Sequence, residues 1–270
     1  MESSAQLIGL IAGAGEVPVY FAEKAKAQGI RIVSISLTKD ISQLLEPLVE
    51  KNFNINIGQP GKMLKAFKNE DVTGIVIMGK IEKSMIFRIQ MLDMEALKFI
   101  KALKNHQDKS FMLSVIDRIK ELGGTVLDQK ELVPELFPEK GVITRKQPSE
   151  KIMTDIRFGM PIARSMADQE IGQTIVVRNE TVIAVEAVEG TDKAIERGCE
   201  FSNGGCSVVK VSRTNQDYRF DAPGVGPHTI ELMIKGKASA LALEAGRVML
   251  INRKKVVDMA DAAGLSIVCI

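Results

Sequence analysis

The chain has 270 residues, 45% of them hydrophobic and 26% charged, with a formal net charge of +2 at neutral pH. That balance suits one large globular domain or two ordinary ones with a sizeable core. It gives nucleic acid little to hold, because there is no long basic run, no Trp and only two Tyr to stack on bases. Cys199, Cys206 and Cys269, with only His106 and His228 beside them, lack the spacing of a zinc site, so reduced thiols of a cytosolic protein are expected. The first residues lack the basic start and apolar stretch of a signal peptide, and no apolar run approaches a membrane span.

Leu7 to Ala12 predicts a buried strand that runs into Gly13-Ala14-Gly15, followed by a helix from Pro18 to Gln28. Arg31 to Leu37 reads as a second strand, Asp40 to Val49 as a helix bent at Pro47, and Phe53 to Ile57 as a third strand. A short helix over Gly61 to Asn69 leads to a fourth strand, Gly74 to Met78, which ends in Gly79-Lys80. Helices are expected over Met94 to Leu103 and Ser110 to Glu121, and a strand over Thr125 to Leu127. This alternation of strand and helix predicts a parallel sheet covered on both faces, a Rossmann-like domain over residues 1–133.

The prolines and glycine of residues 134–148 mark a linker. Beyond it, residues 149–270 predict a mixed α/β domain. Ser149 caps a long helix to Asp168, whose Met153, Met160 and Met166 read as core, though methionine also suits an irregular acyl pocket. A hairpin is expected from Thr174 to Val177 and Thr181 to Ala187, and a buried strand over Val208 to Val211. Thr229 reads as the cap of a helix to Lys237. Strands near Ala240 to Leu243 and Arg247 to Ile251, a helix from Arg253 to Ala263 and a strand from Leu265 to Ile270 close the chain.

Three places carry candidate chemistry. Gly13-x-Gly15 between strand and helix would let the backbone approach a phosphate, but the second strand ends without the carboxylate that grips a nicotinamide cofactor's ribose. Gly58-Gln59-Pro60-Gly61-Lys62 has the wrong spacing for an ATP loop and Met63 where Ser or Thr is needed. Gly79 and Lys80 share the carboxyl edge of the first sheet, where such sheets bind ligands. Glu189, Gly190, Thr191 and Asp192 end a strand and open a helix; Thr191 or Asp192 could cap it, or the carboxylates could face a divalent ion.

The third place is the stretch from Ser207 to Thr229. Lys210 precedes a polar loop of Gln216, Asp217, Arg219 and Asp221, stiffened by Pro223, Gly224, Gly226 and Pro227. A solvated loop with surface ion pairs would show the same charges, but a rigid loop between strand and helix is where α/β proteins keep their chemistry.

The opening Ile-Ala-Gly-Ala-Gly-Glu-Val-Pro-Val, Gly79-Lys80, Ile171-Gly172-Gln173 and Val185 to Asp192 come in order along the chain. Lys210 follows, then Gln216-Asp217-x-Arg219-x-Asp221-x-Pro223-x-x-Gly226. This series closely resembles the UDP-2,3-diacylglucosamine pyrophosphatases of the LpxI type, the lipid A enzymes unrelated to the calcineurin-like ones. The resemblance implies nucleotide binding at Gly13 and Gly15 of a Rossmann-like domain, and an acylated sugar phosphate held by the second domain. It implies substrate contacts at Gly79, Lys80, Gly190, Thr191 and Gln216, and a magnesium ion (Mg2+) at Asp221, Glu189 and Asp192. It further implies an essential aspartate at Asp221 with Asp217, Arg219 and Lys210 beside it, a homodimer, and release of UMP and lipid X.

Those roles agree with the chemistry: cleaving a diphosphate needs charge neutralisation, a positioned water and a carboxylate. A cytosolic enzyme acting on a lipid would meet the inner face of the membrane. The competing readings are an NAD(P)-linked oxidoreductase, from the first strand-glycine-helix unit, and a non-catalytic carrier of the sugar-lipid.

Overall fold

The computed structural model describes residues 7–81, 93, 108–121 and 123–270. The helix expected over Met94 to Leu103, and His106, lie outside the described residues. The chain forms two compact units, Met1–Leu132 and Val133–Ile270.

The first unit is a five-stranded parallel sheet in the order β3-β2-β1-β4-β5. Its strands are β1 (Leu7–Ala12), β2 (Arg31–Ser36), β3 (Lys51–Asn54), β4 (Gly74–Met78) and β5 (Thr125–Val126). Between them run α1 (Val17–Ala27), α2 (Lys39–Leu45), α3 (Pro60–Asn69) and α4 (Asp108–Glu121), and α5 (Gln129–Leu132) ends the unit. The central strands are almost continuously buried, as expected where helices cover both faces.

Three boundaries move for local reasons. α2 starts at Lys39 because the Thr38 hydroxyl accepts from Ile41 N–H, and it stops at Leu45, ahead of Pro47. β3 is Lys51–Asn54 and not Phe53 to Ile57, because the Ser34 and Ser36 hydroxyls both donate to Asn52 Oδ1 at 2.8 Å and fix its register. The chain then turns away as Gly58 N–H bonds to Asn56 Oδ1. The Gly58 to Lys62 stretch has a protein anion of its own: Gly61 and Lys62 N–H donate to Asp93 Oδ2 at the start of α3.

The second unit is a six-stranded mixed sheet, β6-β13-β11-β9-β7-β8. β9 (Ser207–Lys210), β11 (Ala240–Leu243) and β13 (Ser266–Cys269) are parallel; β6 (Gly141–Val142), β7 (Thr174–Arg178) and β8 (Thr181–Val185) run antiparallel to their neighbours. β10 (Gly224–Val225) and β12 (Met249–Leu250) form a separate pair.

Residues 134–148, expected to link two domains, carry part of this sheet. Val142 pairs with Val268, Ile143 N–H donates to the Ile267 carbonyl, and Thr144 Oγ1 accepts from Ile267 N–H. A short 3₁₀ turn, Pro134–Leu136, precedes them, and Leu136 and Phe137 are buried. The prolines bend a packed segment.

Period-two patterning builds the two layers. Ala240 and Ala242 of β11 face α6 (Glu150–Asp168), while Leu241 and Leu243 face α7 (Thr191–Ser202), α8 (Pro227–Lys235) and α9 (Arg253–Ala263). Met153, Met160 and Met166 of α6 pack against that first cluster as core. Asn179 and Glu180, both at positive φ, make the two-residue turn between β7 and β8, and Glu180 N–H is held by Asp155 of α6. All three cysteines are buried free thiols.

Gly13 is tested most directly in this fold. A Cβ there would meet the Lys80 carbonyl oxygen at 2.6 Å, and backbone cannot yield as a flexible side chain can. Gly13→Ala should destabilise the first unit by about 1–3 kcal/mol, read as a lower urea midpoint without ligand.

Candidate active site

In the first unit the glycine turn is knitted to the end of β4. Gly13 N–H donates to the Met78 carbonyl, and Ala14 and Lys80 exchange backbone hydrogen bonds at 2.9 and 2.7 Å. This close crossing explains Gly13, and Gly79 sits at φ +87° between the Gly13 and Ala14 carbonyls. Gly15 is exposed at φ +105°, and Lys80 is also exposed. Pro18 near the start of α1 removes one of the N–H groups an anion could use.

In the second unit, the ends of β8, β9 and β11 and the start of β7 bring most of the expected residues of this half to one sheet edge, the carboxyl edge of its parallel strands. Lys210 ends β9 on the same face as Val208 and is buried. Its ammonium donates to Thr174 Oγ1 at 3.1 Å and Thr191 Oγ1 at 2.7 Å, and lies 4.0 Å from Glu186 Oε2. Thr191 in turn donates to Glu186 Oε1 at 2.8 Å, and Gln173 N–H donates to Oε2.

Glu186 was absent from the expected set. Burial opposes its ionisation, but the Lys210 charge, the Thr174 and Thr191 hydroxyls and Gln173 N–H outweigh that and hold its carboxyl below the ordinary range. Thr191 is the first residue of α7, and Gly190, at φ 84°, occupies the cap position; neither Thr191 nor Asp192 caps this helix.

The two other acids near this turn have separate surroundings. Glu189 pairs with Arg197 at 2.6 Å, and Arg197 also donates to the Val185 carbonyl. Asp192 is half-exposed, with Thr229 Oγ1 at 3.4 Å and His228 Nε2 at 3.7 Å. Thr229 does not cap α8: that helix starts at Pro227 after Gly226, because Pro supplies the φ of a first turn and needs no N–H there.

The loop between β9 and β10 holds the remaining residues. Asp217 and Arg219 form a two-pronged pair at 2.8 and 2.6 Å. Asp221 Oδ2 accepts from Arg213 Nη1 at 2.7 Å and Gln216 Nε2 at 2.9 Å, and its side chain is 39% exposed. No hydrogen bond falls on Oδ1 among the described residues. Gln216 points inward, its Nε2 also bonding the Asp221 carbonyl and its Oε1 accepting from Arg213 N–H and Gln173 Nε2.

Below this loop Glu244 is a hub. It accepts from Ser212 N–H and Oγ and pairs with Arg164 and Arg247. Arg247 also reaches the carbonyls of Arg213 and Thr214, while Thr214 donates twice to Asp168. The Thr214 backbone bond is the largest of several causes that lower the Asp168 carboxyl.

Among the described residues no three carboxylate, histidine or thiol side chains gather as a metal cage. Glu189, Asp192 and Asp221 therefore do not form a three-acid site. Carboxylate oxygen is nevertheless the donor a hard cation takes, and magnesium commonly uses one or two protein carboxylates with substrate phosphates and water. Asp221, partly exposed and with no hydrogen bond on Oδ1 among the described residues, fits that lighter set.

The family model for the LpxI N-terminal domain matches residues 7–136, and that for the LpxI C-terminal domain matches residues 139–268. The chain belongs to the LpxI family. A relative from Caulobacter vibrioides, UDP-2,3-diacylglucosamine pyrophosphatase LpxI, is 27% identical over 271 residues, covering 96% of this chain and 95% of that protein. A crystal structure of Cj0485 dehydrogenase covers 45% of this chain and 49% of its own at 16% identity, with a TM-score of 0.27, too slight a likeness to bear on fold or function.

For an LpxI-family chain the residues that sequence reading left without a role are Glu186 and Gln173, which stood only inside matching motifs, and Arg213 and Glu244. A signal for Glu186 existed: it lies two residues beyond the buried Ala184, as Lys210 lies two beyond Val208, so both alternate onto the face that α7 covers.

The Glu186 carboxyl sits below its ordinary 4.5 when folded, so its ionised form adds stability at neutral pH that fades as pH falls through the folded value. Wild type should therefore exceed Glu186→Gln in stability near pH 7. The gap should close below about 4.5 in urea titrations; a gap that does not change with pH would refute the pairing.

Proposed function

We propose that this protein hydrolyses the diphosphate of UDP-2,3-diacylglucosamine with magnesium, giving UMP and 2,3-diacylglucosamine 1-phosphate (lipid X). The reading is carried by the matches of both LpxI family models, in order, over nearly the whole chain. The curated relative of matching length bears that substrate in its name.

The uridine nucleotide would meet the turn of Gly13 and Gly15, of which Gly15 is exposed and Gly13 is buried, with Gly79 and Lys80 beside it. The sugar phosphate would meet the second unit at the start of α7, beside Gly190 and Thr191, where the helix presents its positive end; the Gly190 N–H itself is held by the Ala187 carbonyl. Lys210 reaches the same place through Thr191, and its remaining N–H would face the phosphate.

Hydrolysis joins a water oxygen to one phosphorus, breaks that phosphorus–bridging-oxygen bond and leaves two phosphomonoesters. Asp221 Oδ1 would take the water's proton or a place on the metal, while Arg213 and Gln216 hold Oδ2. Asp221 and, second, Asp192 would hold magnesium; when bound it would neutralise charge on the diphosphate. Glu189, tied to Arg197, is the weakest of the three acids for that task. Asp217 and Arg219 neutralise each other, and Arg219 would turn toward phosphate only by giving up that pair.

Among the described residues no helix is long and apolar enough to cross a membrane. The protein would meet its lipid at the cytosolic face of the inner membrane, and it would act as a homodimer.

Incubation with UDP-2,3-diacylglucosamine and magnesium should release UMP and lipid X, chromatography following the first and mass spectrometry the second. Chelation should stop the reaction. Asp221→Ala should lower turnover by about 100-fold or more while still binding the sugar-lipid. A variant as active as wild type would remove Asp221 from the mechanism, and binding without any UMP release would favour a carrier.

A further inference from the structure

Gln173 occupies a position that the roles assigned above leave unused. Both of its backbone groups are fixed: its N–H donates to Glu186 Oε2 at 3.3 Å, and its carbonyl accepts from Val211 N–H at 3.0 Å. The residue before it makes this possible. A Cβ on Gly172 would fall inside the Glu186 carbonyl, so only glycine lets the chain pass so close to the end of β8. With its backbone pinned between the exits of β8 and β9, the Gln173 side chain reaches Gln216 Oε1 at 3.0 Å.

The polarity of the next contacts follows from chemistry. Gln216 Oε1 also faces Arg213 N–H, which can only donate, and Gln216 Nε2 faces the Asp221 carbonyl and Oδ2, which accept. The Gln216 amide therefore has one permitted orientation, and Gln173 must present N–H to it. The result is a one-way chain of donors, Gln173 to Gln216 to Asp221, rooted in the buried Lys210–Glu186 pair.

Resting on the pyrophosphatase reading, we propose that Gln173 is a positioning residue: through Gln216 it fixes the Asp221 carboxylate and ties its placement to the Lys210–Thr191–Glu186 cluster at the start of α7. It touches neither water nor phosphate. Its work is to hold Gln216 so that Oδ2 is engaged and Oδ1 carries no hydrogen bond among the described residues. Arg213 holds Oδ2 as well, but from a flexible arm on the same loop, whereas Gln173 comes from the sheet.

The test uses the full chain and a double-mutant cycle. Gln173→Met keeps the side chain's length and removes its N–H; Gln173→Glu keeps the shape and sets a carboxylate against Gln216 Oε1. Each should lower kcat about tenfold with KM within about twofold of wild type, and Gln173→Met should cost nothing further in a Gln216→Met background. Losses that multiply in the double variant, or an unchanged kcat in both single variants, would overturn the proposal.

A second readout does not depend on activity. The Gln216 side-chain amide signals in a ¹⁵N spectrum, assigned by their loss in Gln216→Met, should shift in Gln173→Met; unshifted signals would overturn the relay. If wild type releases no UMP, the pyrophosphatase reading fails by itself, and the amide signals still decide whether the relay exists.

Discussion

The buried ammonium of Lys210 is the constraint on which the second unit's site depends. It stands at the end of a strand whose neighbours are all core, and withdrawing a cation from water costs on the order of several kcal/mol unless a counter-charge and hydrogen bonds replace the solvent. Glu186, Thr174 and Thr191 supply those, and each comes from a different element: β8's exit, β7's start and α7's first residue. One charge thus dictates how three segments meet. A methionine there would pack as well and fix none of them, which is a reason for an ion pair at the root of a polar site and not in the middle of a core.

From that root the polar contacts run outward with falling burial. Glu244 receives two arginines and two Ser212 groups beneath the loop, and it is well buried. Asp221 and Arg213 sit further out, where an ion pair contributes only about 0–1 kcal/mol. So little energy would not by itself hold a carboxylate in one orientation. The aim of Asp221 therefore depends on the amides and backbone behind it, which are anchored in the sheet, and stability and geometry are supplied by different groups.

Much of this was legible from residues alone. The alternation Ala-Leu-Ala-Leu in β11 sorts its two faces, and the continuous apolar runs of β1 and β4 state that both of theirs are covered. A hairpin is expected around Arg178-Asn179-Glu180, of which Asn179 and Glu180 make the turn, and the crowd of Gln216, Asp217, Arg219 and Asp221 marks the loop. What failed was the reading of single residues by local role. Prolines at residues 134–148 suggested a linker, yet Val142 has Val268 as its partner, 126 positions along the chain, and no local pattern encodes a pairing that distant. Thr229 and Thr191 looked like caps because threonine often caps; Gly226 and Gly190 fill those places, and the hydroxyls go to Asp192 and Glu186.

The acids show the same limit most clearly. Glu186, Glu189 and Asp192 lie within seven residues, and chain order favours the two beside the glycine. Folding sorts them otherwise: Glu186 turns inward to Lys210, Glu189 is taken by Arg197 on the outer turn of α7, and Asp192 remains half-exposed beside Thr229 and His228. Their difference is direction: Glu186 directly follows β8, Glu189 lies in the turn that comes after it, and Asp192 lies in the first turn of α7, past the break at Gly190 with its φ of 84°. An acid directly after the strand, four residues ahead of the break at Gly190, keeps the strand's alternation and can reach a buried partner. One just after it takes the helix's phase and looks outward from the first turn. A carboxylate here therefore serves the core or the solvent according to where the strand gives way to turn and helix, and residue type alone cannot tell which.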